Sequence, residues 1–170
     1  MSQDKYIFRK AVAGDIPAVE KILKDAVSRM LAEGKQQWDE NYPNVVHVVA
    51  DMARDVAFVL ETRGEVVAYG AVVFDGEPAY DRLEGEWLSD QEYVVVHRIA
   101  VSQHAQGNGV GARFMKAVEF YAAEKGIGSF RVDTNFDNFA MLRLIGKCGF
   151  EYCGEVVYER GSRKAFEKLI

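Results

Sequence analysis

The sequence predicts an α/β domain of mixed character, with one central mixed sheet and helices on both of its faces. Three observations lead there. Apolar runs joined by tight polar turns read as β-hairpins, which make antiparallel neighbours. Other apolar runs are followed by a helical stripe and then a further strand, as in βαβ units. Helix-length segments keep their apolar residues at three- and four-residue steps. The chain has 170 residues, enough for a real core, and a single domain over 1–170 is expected.

Taken in order, Tyr6 to Lys10 reads as an opening strand. Asp15 is placed to cap a helix with Pro17 in its first turn, and Ile16, Val19, Leu23, Val27 and Met30 form its apolar stripe. Gly34 ends it. Gln36 to Asn44 (QQWDENYPN) is a loop rich in aromatic and polar groups, and residues 45–55 form a short second helix containing His47 and Met52. Val56 to Glu61 and Val66 to Phe74 make a hairpin around Thr62-Arg63-Gly64-Glu65. The polar stretch from Asp75 to Glu92, with Tyr80 and Trp87, has no clear structure, and loops of that length are often functional or mobile.

Tyr93 to Val101 is the most apolar strand. Gly109 to Lys125 is a helix with Val110, Phe114, Ala117, Val118 and Tyr121 on one face. Ser129 to Thr134 is another strand, and Asn138 caps a helix that Gly149 closes. Two strands, Phe150 to Tyr158 and Lys164 to Ile170, finish the chain around the turn GSR. Seven strands are expected in all.

Bulk composition narrows the class. About half of the residues are hydrophobic and 28% are charged, which is ordinary for a soluble globular protein. The formal net charge is −5 and no long basic run occurs, so sequence-independent nucleic-acid binding is not expected. An acidic balance mildly favours cationic partners such as amines. No apolar run approaches the roughly 20 residues of a membrane span, and the opening MSQDKYIFRK is too polar for an export signal. The two cysteines, Cys148 and Cys153, suit neither a disulfide framework nor a complete metal site. No metal is expected, and a reducing cytosol is the simplest setting.

The most informative string is YVVVHRIAVSQHAQGNGVGAR, beginning at Tyr93. A strand runs into a short polar turn with glycines at alternate positions (Gly107, Gly109, Gly111), and a helix follows. Glycines let backbone N–H groups come close to phosphate oxygens, and a helix N-terminus adds partial positive charge. The dinucleotide fingerprint G-x-G-x-x-G and the phosphate loop G-x-x-x-x-G-K-S/T are both absent. A plain glycine-rich turn is the remaining rival.

The longer string HRIAVSQHAQGNGVGARFM is followed by the acidic strand end RVDTN and then by N-x-x-M-L-x-x-I-x-K-x-G-F. In that order, these segments resemble the GCN5-related N-acetyltransferase (GNAT) family, whose phosphate motif Q/R-x-x-G-x-G/A is met by Gln106, Gly109 and Gly111. The element order fits from Tyr6 to Ile170. The QWDENYP loop and the closing F-E-K run also look like a group of bacterial members of unassigned substrate. The resemblance implies a mostly antiparallel sheet of about seven strands, flanked by helices on both faces, and acetyl-CoA as cofactor. The backbone of Ile99 and Val101, with Ala100 between them, would pair with the pantetheine arm. N–H groups of Gln106, Gly107, Asn108, Gly109, Val110, Gly111 and Ala112 would hold the pyrophosphate, and Asn138 would bond the far side of the arm. A homodimer through the C-terminal strands is also implied.

Acetyl transfer to a primary amine needs the amine neutral, yet an alkylammonium has a pKa of roughly 10.4. His97 is the candidate base: an imidazole suits proton relay at neutral pH, and the family's arylalkylamine enzymes resemble this chain at that strand position. Strand alternation places His97 on the face of Ile99 and Val101. A core histidine bonded to a neighbouring strand is the other reading of that position, while His47 and His104 read as surface residues. The family's tyrosine in L-Y-x-K-x-G-F is replaced here by Ile145. Trp38, Tyr42, Tyr80 and Trp87 lie in loops where the family binds its acceptor, and each reads equally as a pocket wall or as a lid or packing residue. Asp133 and Asn135 end the strand before Asn138, where they read either as facing the acyl end of that site or as a satisfied turn, the turn being the favoured reading. The expected function is transfer of an acetyl group from acetyl-CoA to a small-molecule primary amine. The alternatives are acetylation of a protein or peptide and non-catalytic acyl-CoA binding.

Overall fold

The computed structural model describes residues 4–170; Met1, Ser2 and Gln3 of the polar opening segment lie outside them. Its strands are β1 (Tyr6–Lys10), β2 (Ala57–Thr62), β3 (Glu65–Val73), β4 (Glu84–Gly85), β5 (Val94–Val101), β6 (Ser129–Thr134), β7 (Glu151–Tyr158) and β8 (Gly161–Leu169). The helices are α1 (Ile16–Ala32), α2 (Val45–Ala53), α3 (Val110–Glu124) and α4 (Phe139–Lys147). The strand order is β1-β2-β3-β5-β6-β8-β7-β4. The described ladders are antiparallel except for β5 with β6, giving the mixed, mostly antiparallel sheet expected. The described residues divide into two compact units, residues 4–72 with 98–114 and residues 73–97 with 115–170.

In the first unit β1, β2 and β3 form an antiparallel meander. The β2–β3 turn is Arg63-Gly64, both at positive φ (52° and 78°), as a two-residue turn matching strand twist requires. The α1 side chains Val19, Ile22, Leu23, Ala26 and Val27 pack with Trp38, Val48, Val59 and Tyr69 into one core cluster. Asp15 differs from expectation. Its side chain makes no cap bond to the helix. Instead Arg9 donates to it at 2.7 and 3.0 Å, and the Val12 N–H at 2.8 Å. The cation drew the carboxylate away from the helix end.

In the second unit β6 pairs with β8 and β8 with β7, both antiparallel. β5 lies parallel to β6 at Val94–Phe130 and Val95–Arg131. The eighth strand, absent from the sequence reading, is β4 against β7. In this pairing Gly85 and Gly154 meet backbone to backbone: a Cβ on Gly85 would sit 2.1 Å from the Cys153 carbonyl oxygen, and one on Gly154 2.3 Å from that of Glu84.

The 75–92 stretch is also more ordered than its polarity suggests. It contains a 3₁₀ turn, Pro78–Arg82, and its later part is anchored by Glu167, a fully buried carboxylate on β8. Glu167 accepts from Leu88 N–H (2.9 Å), Ser89 Oγ (2.7 Å) and Ser129 Oγ (2.6 Å), and Arg131 Nε lies 3.3 Å from it. The Arg131 guanidinium donates to Ser89 O (2.6 Å) and lies 4.2 Å from the ring centres of both Trp87 and Tyr93. A buried charge of each sign is paired, with Arg131 hydrogen-bonded through a terminal nitrogen while its buried Nε faces Glu167 as an ion pair without a hydrogen bond.

Among the described residues no helix is long and apolar enough to cross a membrane.

Candidate active site

The donor half of the predicted site lies in the first unit. After β5 the chain turns at Ser102, whose N–H bonds Val67 O at 2.8 Å and whose Oγ lies 2.9 Å from His104 Nδ1. A short 3₁₀ turn, Gln103–Ala105, leads to the glycine segment. The Gln106 side chain reaches back to donate to Val101 O at 3.1 Å, tying this segment to the strand end. Gly107 and Gly109 take positive φ values of 84° and 71°, which answers why glycine stands there.

Backbone donors decide whether this turn fits a diphosphate. Gln106 N–H and Asn108 N–H bond the preceding turn, and Arg113 N–H bonds Gly109 O at 3.1 Å, the first bond into α3. The N–H groups of Gly107, Gly109, Val110, Gly111 and Ala112 have no partner among the described residues. A run of unpaired donors over two left-handed glycines and a helix start is what an anionic diphosphate would satisfy. The residues present therefore fit the group.

The strand before this turn holds a feature that pattern reading missed. Arg98, in the middle of β5, has φ 57°, a left-handed conformation that non-glycine residues rarely take. Its guanidinium donates to Asp51 through Nε (3.0 Å) and NH2, and to the Tyr42 hydroxyl (3.1 Å). Asp51, itself buried, also accepts from the Tyr69 hydroxyl. Burial, then the Asp51 bond, pushes the Tyr69 hydroxyl well above its ordinary value. The left-handed residue interrupts alternation, so the reckoning that put His97 on the face of Ile99 and Val101 does not carry across Arg98. Tyr42 serves this network and packs edge-on to His47. His47 is a capping residue of α2, its Nδ1 accepting from Asn44 N–H at 3.1 Å. Trp38, only 6% exposed, is core packing.

The candidate acid–base residues lie in the second unit. His97 Nε2 is 3.2 Å from Glu77 Oε2, and both side chains are about one-fifth exposed. Asp133 accepts from two phenols, Tyr80 at 2.6 Å and Tyr158 at 2.9 Å. Burial above all, then the Asp133 charge, pushes both hydroxyls well above the usual tyrosine value, so both are neutral donors. Trp87 Nε1 donates to Tyr80 O at 3.0 Å, with its ring 5.1 Å from that of Tyr80. Asn135 is buried; it donates to Asp137 at 2.6 Å and accepts from Arg163 at 3.4 Å. Asn138 caps α4, its carboxamide oxygen accepting from Met141 N–H at 3.2 Å. Ile145 is fully buried, so no polar group is presented where the family pattern has its tyrosine.

Tyr80 and Asp133, named separately from the sequence, are joined by a hydrogen bond. Glu77 and Tyr158 were missed. Glu77 had a readable signal, an acidic residue directly before Pro78 at the head of a turn; Tyr158 had none, since only the β7–β8 pairing brings it near Asp133.

The comparisons with known proteins agree with this fold. The acetyltransferase (GNAT) family model matches residues 20–150, most of the chain, and the chain belongs to that family. A GNAT acetyltransferase from Streptococcus agalactiae is 30% identical over 97% of this chain and 95% of its own, with a TM-score of 0.89. One from Listeria monocytogenes is 19% identical over 97% and 95%, TM-score 0.76. The yncA protein of Salmonella typhimurium, solved with its cofactor acetyl-CoA, is 18% identical over 96% and 93%, TM-score 0.68. No curated protein matches. The chain is an acetyl-CoA-dependent N-acetyltransferase.

Proposed function

We propose that the chain moves the acetyl group to a primary amine of a small molecule by direct attack, with His97 taking the proton the amine must lose. The observation that carries this reading is the His97 ring: partly exposed, one nitrogen faces a carboxylate at 3.2 Å and the other has no partner among the described residues. An alkylammonium is not a nucleophile, and an imidazole is the side chain suited to accept its proton at neutral pH. Acetyl-CoA, when bound, supplies the acetyl group as a thioester with a thiol leaving group.

The unpaired N–H groups of Gly107 and 109–112, with Gln106 and Asn108 in the same turn, are proposed to hold the diphosphate. The backbone of Ile99, Ala100 and Val101 is proposed to pair with the pantetheine arm. Tyr80, Asp133 and Asn135 are proposed to face the acceptor. The acidic character of Asp133 and Glu77, like the net charge of −5, suits a cationic amine. A buried Trp38 and a Tyr42 engaged by Arg98 serve the scaffold in this reading.

Thiol release from acetyl-CoA, measured across a panel of small primary amines and peptides, tests the proposal. Release with small amines is expected, and His97→Ala should lower kcat by about 100-fold or more. Release with peptides alone would move the acceptor to proteins. Tight acetyl-CoA binding without release to any acceptor would make the chain a non-catalytic binder. Unchanged turnover in His97→Ala would end the histidine's role.

A further inference from the structure

Glu77 is held at three points before it meets the histidine. Its backbone N–H donates to the Tyr93 hydroxyl at 3.1 Å, and its Oε1 accepts from Ala79 N–H at 3.3 Å as the cap of the 3₁₀ turn. Pro78 opens that turn and fixes the backbone there. With Oε1 committed to the turn, Oε2 is directed, and it lies 3.2 Å from His97 Nε2. The carboxylate is placed by its own local structure, independently of the ring.

A carboxylate oxygen can only accept, and a ring lone pair facing it at 3.2 Å would be repelled, so Nε2 carries a proton in either charge state of the ring. In the neutral imidazole that puts the proton on Nε2 and leaves the lone pair on Nδ1. We infer that Glu77 is the positioning residue of His97: it fixes the Nε2–H tautomer and makes Nδ1 the nitrogen that meets the acceptor. This rests on the reading of His97 as the base. The step then balances simply. The acceptor ammonium gives one proton to the Nδ1 lone pair, and the electron pair of the broken N–H bond becomes the amine's nucleophilic lone pair. The ring becomes an imidazolium whose Nε2–H stays beside Glu77, whose charge stabilises it without taking the proton. The Nδ1 proton passes to water when the cycle closes.

The isosteric variant gives an unusual test. In Glu77→Gln the amide oxygen stays on the Ala79 N–H, so the NH₂ group faces His97. A donor there demands an acceptor at Nε2 and drives the ring proton to Nδ1. Long-range proton–nitrogen NMR of the imidazoles, recorded where the ring is neutral, should show the Nε2–H tautomer for His97 in the wild-type protein and the Nδ1–H tautomer in Glu77→Gln. The variant should lose about tenfold or more in kcat with KM for acetyl-CoA unchanged. Tyr93→Phe, which leaves the carboxylate in place, should keep the wild-type tautomer and most of kcat.

A wild-type ring in the Nδ1–H form overturns the inference, whatever the variants do. So does a Glu77→Gln enzyme that keeps both tautomer and kcat. The underlying reading fails separately: if His97→Ala turns over normally, His97 is not the base, even where the spectra show the tautomer as stated.

Discussion

Asp51→Ala is expected to be the most damaging single substitution in the first unit. The Asp51 side chain is 4% exposed and that of its partner Arg98 is 13% exposed, so the ion pair is largely shielded from water. Losing one member of such a pair leaves an uncompensated charge and costs about 3–5 kcal/mol. The Tyr69 hydroxyl, on a fully buried ring, loses its acceptor as well, a further penalty of about 1–3 kcal/mol taken alone. Because both groups share one carboxylate the costs do not simply add, and a net loss of about 4 kcal/mol is expected. Arg98 keeps only the Tyr42 oxygen. For a chain of this size that corresponds to a fall in Tm of about 8–16 °C. Tyr69→Phe, which leaves the Arg98–Asp51 pair intact, should cost about 1 kcal/mol. Urea unfolding of the wild type and both variants, with midpoint and slope read separately, measures the two losses. An Asp51→Ala loss below about 1 kcal/mol, or one no larger than that of Tyr69→Phe, would refute the claim that this carboxylate neutralises a buried cation.

Three further outcomes are expected. Gly109→Ala meets open space, with nothing within 4 Å of the new Cβ, so its cost is the left-handed backbone, about 1–2 kcal/mol; calorimetry should show acetyl-CoA binding weakened, and unchanged binding would remove this turn from the donor site. The Arg9 hydrogen bonds hold the Asp15 carboxyl below its ordinary 3.8, against the opposing effect of burial. The stabilisation is therefore complete above that value and is lost as pH falls through the lower folded-state pKa, so urea midpoints of Arg9→Gln should vary less with pH in that acid range than those of the wild type. Burial pushes the Cys148 and Cys153 thiols up from 9.0; Cys153, 8% exposed, should react with a thiol reagent near neutral pH only once the chain unfolds, and rapid labelling of the folded protein would contradict this.

What pattern could read, and what it could not, divides along physical lines. Helices with an apolar stripe and strands flanked by turn residues follow local rules, so α1, the β2–β3 hairpin and the Asn138 cap were legible. The glycine turn was legible too, because positive φ and unpaired donors leave a compositional trace. Arg98 was not: a left-handed arginine is sustained by Asp51 and Tyr42, residues about fifty positions away, and nothing local marks it. Trp38 illustrates the opposite error. It sits in a polar loop, yet its ring is buried with α1, since a loop can be polar on average and still contribute its largest side chain to the core. Asp15 was placed by helix-cap rules and taken instead by Arg9, a stronger, charged donor.

The Glu167 anchor has a consequence for recognition. Leu88 and Ser89 are bonded to a carboxylate that lies 79 and 78 residues further along the chain, and Trp87 lies over the Arg131 guanidinium beside it. The conformational entropy of these residues, about 1–2 kcal/mol for each backbone unit, is therefore surrendered when the chain folds. A ligand that touches this segment would not bear that ordering cost again, and its affinity would depend on contacts made rather than on a loop that must first be stilled.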